Sequence, residues 1–159
     1  MSGKFVVGLI VLISLAAGAA LYYAQIYAFY QPVPASAPAA EIALDPVDGS
    51  VADAMLITAE FQGIDADSSP LRFRGCFVTP MSLPMLTESY RIYENPTPLI
   101  APSWFSCFNA GQIDADLQSG AAVAFSAGTN IHPGVDRVVA IYPDGRAYAW
   151  NQLNSSGEE

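Results

Sequence analysis

Two cysteines, one histidine and two Asp-Ala-Asp pairs are the residues of this chain whose types and spacing invite a chemical reading. Cys76 and Cys107 are an even pair, which in an oxidising compartment reads as a disulfide. Closing the loop of about 30 residues between them would contribute roughly 3–4 kcal/mol in the chain-entropy model. The alternative is a redox-active pair. Catalytic pairs usually stand as Cys-x-x-Cys, where a helix N-terminus lowers one thiol pKa, and this spacing does not match. Both cysteines also have aromatic neighbours, in Arg74-Gly75-Cys76-Phe77 and Trp104-Phe105-Ser106-Cys107-Phe108. Apolar packing of that kind suits a buried structural bridge.

His132, in Asn130-Ile131-His132-Pro133-Gly134, has the side chain of a general base or a pH switch. A hydrolytic triad also needs a nucleophile and an orienting acid, and the Gly-x-Ser-x-Gly elbow is absent. The reading is a loop histidine. Asp65-Ala66-Asp67 and Asp114-Ala115-Asp116 each offer two carboxylates, but lack the glycine and distal glutamate of a calcium loop. Two Cys and one His do not make a zinc site. No catalytic, cofactor-binding or metal-binding residue is therefore expected, and no cofactor.

The elements that would position these groups begin with an apolar run. From Phe5 to Tyr30 there are 26 residues without a charge, and a spanning helix needs roughly 20. Lys4 precedes the run, while Glu41, Asp45, Asp48 and Asp53 follow it before the next basic residue, Arg72. Positive charge stays in the cytoplasm, so the remainder is expected outside. Tyr22, Tyr23, Tyr27, Phe29 and Tyr30 form an aromatic belt at the far end. A cleaved signal peptide is the rival reading, but its apolar region is usually 7–15 residues. Ala16, Ala20, Ala24 and Ala28 recur every four residues as a possible helix-packing face.

The sequence thus divides into a cytoplasmic stub (1–4), a transmembrane helix (5–30), a Pro/Ala-rich linker (31–50), a periplasmic domain (51–152) and a flexible polar tail (153–159). The linker is expected in extended polyproline II. Asp48-Gly49-Ser50 reads as a turn. Met55 to Phe61 alternates as a strand, with Met55, Ile57, Ala59 and Phe61 inward. Leu71 to Thr79 is expected to pair with it, with Leu71, Phe73 and Phe77 inward and Arg72 and Arg74 outward. Leu83–Tyr93 and Gln112–Gln118 read as short helices, and Ser103 as the cap of another through Trp104 and Phe108. Ala121 to Ala127 is a strand candidate. Asp144-Gly145 between Val138–Tyr142 and Arg146–Trp150 predicts a two-residue hairpin, pairing Ile141 with Tyr148 and Val139 with Trp150. The fold class is α+β: an N-terminal transmembrane helix, then a small domain of antiparallel hairpins with short helices and one disulfide.

The outer part carries five arginines and all fifteen acids, a net charge near −10. Nucleic acid and anionic lipid headgroups are poor partners for it, and a cationic envelope protein is favoured. The membrane is the other partner, through the single-pass anchor. The opening Met-Ser-Gly-Lys, Leu71-Arg72-Phe73-Arg74-Gly75-Cys76-Phe77, the Trp104 to Phe108 stretch and Tyr142-Pro143-Asp144-Gly145-Arg146 resemble an uncharacterised family of short, single-pass membrane-anchored proteins from Rhodobacter-like alphaproteobacteria. The resemblance implies an inner-membrane protein with a periplasmic domain, and no mechanism. The expected function is a non-enzymatic interaction or accessory module of an envelope complex. The alternatives are an envelope thiol-redox enzyme using Cys76 and Cys107, or a small-ligand sensor with a pocket lined by Trp104, Phe105, Tyr90 and Tyr93.

Overall fold

The computed structural model describes residues 3–48, 54–56 and 58–154. The uncharged apolar run forms helix α1, Gly3–Tyr23, prolonged by a π-helical turn over Ala24–Ala28. The stretch Gly3–Ala28 contains an 18-residue window with a mean hydropathy of 2.4 and is long and apolar enough to cross a membrane. Its helical part stops at Ala28, two residues short of the expected end. Tyr23 and Tyr27 stack at 5.7 Å between ring centroids. Ala16 and Ala20 lie on α1, but Ala24 and Ala28 fall in the π-helical turn. Its i→i+5 hydrogen bonding changes the winding, so the four alanines do not continue one α-helical row.

The chain divides into two units, residues 1–30 and 31–159. The second is built on a six-stranded antiparallel sheet in the order β1-β4-β5-β8-β7-β6. Its strands are β1 (Gln31–Val33), β4 (Ala59–Asp65), β5 (Arg74–Val78), β6 (Val123–Ser126), β7 (Val135–Ile141) and β8 (Arg146–Leu153). Two short strands, β2 (Ala43–Leu44) and β3 (Ala54–Met55), pair separately. Helices α2 (Leu83–Ser89) and α3 (Ala110–Ser119) complete the unit.

Residues 31–48 of the linker expected at 31–50 are instead part of the domain. Gln31–Val33 pair with Gly63–Asp65. Pro38–Ala40 form a 3-10 turn, and Ile42 and Leu44 are fully buried. The prolines misled the reading because each occupies a place where proline is tolerated. Pro32 lies on an edge strand, where a missing N–H costs least. Pro38 opens a helical turn, where that N–H would have no partner anyway. The domain therefore starts twenty residues before position 51.

Both faces of the sheet are covered. On one, Phe73, Phe77, Phe125, Val139, Ile141, Ala147 and Ala149 meet Ile42, Leu44, Leu56, Leu86 and Tyr90 in one core cluster. On the other, Val138, Ala140 and Trp150 are buried. There Phe108 sets its ring edge-on to Tyr148 at 6.1 Å and to Trp150 at 6.4 Å. Helix α3 is capped by Asn109, whose side chain accepts from the Gln112 N–H, and stops at Gly120 in the left-handed conformation. Its Ile113 is 2% exposed, and its Asp116 Oδ2 accepts from the Tyr142 hydroxyl at 2.7 Å, which ties the helix to the end of β7.

The final hairpin forms, but one residue out of the expected register. Ile141 pairs with Ala147 and Val139 with Ala149, while Ala140 faces Tyr148 and Val138 faces Trp150. The loop is three residues, Pro143-Asp144-Gly145. Tyr142 and Arg146 close it, with the Tyr142 N–H donating to the Arg146 carbonyl at 2.9 Å. Gly145 has φ +90, the left-handed residue that such a loop needs. A one-residue slip exchanges faces, so Tyr148 and Trp150 pack on the side opposite Val139 and Ile141.

Other expectations shift for similar reasons. Leu56, not Met55, is buried, because the Leu56 N–H is held by the Ile42 carbonyl. Ile57 and the turn residues Gly49 and Ser50 lie outside the described residues. A bulge between Ala59 and Gln62, with Glu60 at φ 54, resets the alternation before Phe61 packs on Phe77. The helix expected to Tyr93 ends at Ser89. Residues 91–93 instead cover the free edge of β6, through Ser126 N–H to the Arg91 carbonyl and Tyr93 N–H to the Ala124 carbonyl, both 2.9 Å. Trp104 to Phe108 form turns, not a helix, since Cys107 is tied to Cys76 and Phe105 and Phe108 are both buried. Strand β8 runs to Leu153, one residue into the expected tail, with Asn151 and Gln152 3% and 5% exposed; residues 155–159 lie outside the described residues.

Candidate functional site

Strand β7 presents Arg137 at the end of the sheet where β1 begins, paired across the ladder with Asn151. Its guanidinium is held on three sides. Nε donates to Asn151 Oδ1 at 3.0 Å and Nη1 to the Ala39 carbonyl at 3.3 Å. The Phe73 ring centroid lies 4.0 Å from the guanidinium carbon. Asn151 in turn donates to the Pro70 carbonyl at 2.7 Å, which ties the β4–β5 loop to the same post. Burial pushes the Arg137 guanidinium below its ordinary pKa, and Asp65 partly offsets this.

Arg137 lines a cavity of about 500 Å³ together with Asp65, Asp67, Ser69, His132 and Asn151. Asp65 closes β4, and its Oδ1 accepts from the Ala66 N–H at 2.8 Å. Burial raises its carboxyl above the usual range, against lowering by that hydrogen bond and by Arg137. The cavity thus gathers a fixed cation, two carboxylates, a hydroxyl and an imidazole. Sequence reasoning took His132, as a loop histidine, and the Asp65-Ala66-Asp67 pair separately; the structure brings them together. Arg137 was missed, because nothing local distinguishes it from the other four arginines.

Ser69, His132 and the two aspartates have the residue types of a hydrolytic triad, without its relay. Ser69 Oγ accepts from the Leu71 N–H at 3.3 Å, and no side-chain hydrogen bond joins it to His132. A general base must lie within hydrogen-bond reach of the proton it takes. Among the described residues, no three His, Cys, Asp or Glu side chains gather as a metal-binding group.

The Asp114-Ala115-Asp116 pair serves the fold of α3. Asp114 accepts from Gln118, and Asp116 from Gln112 and Tyr142. Arg74, expected outward, is 3% exposed. It donates to the carbonyls of Leu71, Phe73, Leu99 and Ile100, and so fixes the proline-rich loop against β5.

The aromatic pocket expected from Tyr90, Tyr93, Trp104 and Phe105 does not form either. Tyr90 belongs to the core cluster, and Phe105 is buried with its ring edge-on to Trp104. Tyr93 lines a different, polar cavity of about 520 Å³ with Asp136 and Gln152. Its hydroxyl donates to Asp136 Oδ2 at 3.0 Å. Burial, then this bond, push its pKa up to about 12. The buried Asp136 also accepts from the Asn130 N–H and Asn154 Nδ2, both at 2.8 Å. In this second cavity Tyr93, Asp136 and Gln152 are thus already engaged by protein groups.

Cys76 and Cys107 form a disulfide with their Cα atoms 6.4 Å apart. It joins β5 to the turns before α3, and Cys76 is 6% exposed. The chain belongs to a family of unknown function, DUF6446, whose model matches residues 42–159. That match starts nine residues before the sequence-expected domain boundary at 51. No curated protein and no solved structure matches the chain.

Proposed function

We propose that this DUF6446 member is a single-pass protein of the bacterial inner membrane, with its N-terminus in the cytoplasm and its disulfide-bonded domain in the periplasm. There it acts as a non-enzymatic interaction or accessory module of an envelope complex. The observation that carries the reading is the succession, in one chain, of an uncharged apolar helix and a disulfide-stapled domain. Disulfides persist in oxidising compartments, and Lys4 ahead of the helix favours a cytoplasmic start.

The interaction role is supported by the loop before α3. Arg74 pins its backbone at Leu99 and Ile100, yet the Ile100 side chain is 84% exposed and Trp104 is 40% exposed. Rigidly held, exposed apolar and aromatic side chains suit the anchor of a protein interface. A net charge near −10 outside the helix favours a partner with a cationic surface.

A membrane-impermeant maleimide applied to intact cells tests the topology. Labelling of Cys76 and Cys107 only after reduction supports it; labelling only after the cells are permeabilised removes it. Cross-linking in cells followed by purification in mild detergent tests the role. A stable co-purifying envelope protein lost in Ile100→Asp is the expected result, and a monomer alone overturns the module.

A further inference from the structure

Opposite charges that share a half-buried cavity commonly pair directly, because each loses part of its hydration there. The cavity around Arg137 departs from that rule. Asp65 and Arg137 line it together and influence one another electrostatically, yet no direct ion pair or hydrogen bond joins them. Arg137 Nε and Nη1 are engaged by Asn151 and Ala39, which leaves Nη2 as its one side-chain nitrogen without a partner among the described residues. Asp65 Oδ1 is engaged by the Ala66 N–H, which leaves Oδ2. The Asp67 carboxylate and the His132 imidazole line the same space and have no side-chain hydrogen-bond partner among the described residues.

This is a preorganised pair of poles with room between them. The guanidinium is fixed by two hydrogen bonds and by the Phe73 ring, so little ordering cost remains on binding. About 500 Å³ lies within the range of small-molecule sites.

We propose that this cavity binds a small zwitterion carrying a primary ammonium and an anionic group. The anion sits on Arg137 Nη2 and His132, and the ammonium on Asp65 Oδ2 and Asp67. A free amino acid and the phosphoethanolamine headgroup of a lipid share this chemistry. The proposal stands apart from the interaction-module reading, since a ligand site does not depend on a protein partner.

The test is calorimetric titration of the full-length chain in mild detergent. The probes are glycerophosphoethanolamine, alanine, and two one-ended controls, glycerol phosphate and ethylammonium. The expected result is saturable binding of at least one zwitterion, with each control weaker by about tenfold or more. Arg137→Gln and Asp65→Asn should each lower that affinity about tenfold. Asp67→Asn and His132→Ala alter exposed side chains, so they keep the melting curve and still weaken binding severalfold. Binding of the headgroup alone assigns a lipid, and binding of alanine alone assigns a free amino acid; either supports the site. No saturable binding of either zwitterion up to about 10 mM overturns it, as do controls that bind equally well. Full affinity in Asp67→Asn and His132→Ala together overturns it too, and this arm does not depend on how Arg137→Gln folds.

Discussion

The guanidinium carbon of Arg137 lies 4.0 Å from the centroid of the Phe73 ring, and Phe73 is fully buried. One aromatic side chain thus fills the core beneath the sheet and supports the cation that lines the candidate cavity. Phe73→Leu keeps an apolar side chain but loses ring volume and the cation–π contact. Unfolding in urea, followed by fluorescence of the buried Trp150, should show a loss of about 2 kcal/mol. Zwitterion binding should weaken in the same variant, because Arg137 loses one of its three supports.

The disulfide closes a sequence separation of 31 residues. Its removal in the double variant Cys76→Ala, Cys107→Ala should cost about 3–4 kcal/mol by loop-closure entropy, read as a lower denaturation midpoint. With Cys76 at 6% exposure, the bridge should survive millimolar glutathione in the folded protein. Ready reduction under native conditions would favour the thiol-redox reading over the interaction module.

Asp65 makes stability depend on pH with a definite sign. Its folded pKa is raised, chiefly by burial, so the folded state prefers the protonated carboxyl. Its favourable contribution is present below the unfolded carboxylate pKa and is lost as pH rises through the higher folded value. Asp65→Asn imitates the protonated form. It should therefore raise the melting temperature at neutral pH, by the equivalent of at most about 0.5 kcal/mol after solvent screening. The gain over wild type should shrink toward zero below about pH 4. Thermal melts at a series of pH values check both the sign and the window. Together with the loss of ligand affinity expected for the same variant, this would be a trade of stability for function.

The hairpin loop depends on Gly145. Its φ is +90, and a Cβ placed there would stand 2.6 Å from the Thr79 carbonyl oxygen. The Gly145 carbonyl also accepts the Thr79 N–H at 2.8 Å, so the loop cannot simply swing away. Gly145→Ala should cost about 2 kcal/mol or more. Asp144→Asn, which weakens an exposed ion pair with Arg146 and leaves a side-chain oxygen to accept the Arg146 N–H, should cost less than about 0.5 kcal/mol. Equal stabilities in chemical denaturation would contradict the three-residue loop.

Local rules made several features legible. Glycine after the turn aspartate marked the hairpin, and Gly120 marked the end of α3. Length and the absence of charge marked the apolar helix, and the even cysteine count marked the bridge. These signals are written in residues close together, so no partner from elsewhere is needed to read them. The candidate cavity lacked any such signal. Arg137, Asp65 and His132 come from β7, the end of β4 and the β6–β7 loop, and only the sheet order brings them to one end.

What the sequence by itself determined is therefore the chain's character: an apolar helix, a disulfide, and antiparallel hairpins with short helices. What the tertiary structure decided is phase and sidedness. A three-residue loop in place of two moved Tyr148 and Trp150 to the opposite face from Val139 and Ile141, because strand side chains alternate with a period of two. Long-range contacts also drew a proline-rich stretch into the sheet through Ile42 and Leu44. Arg74 turned inward because four backbone carbonyls awaited it. A charge is buried where its donors can be satisfied, and whether partners will be present is settled by the assembled fold, not by the neighbouring residues.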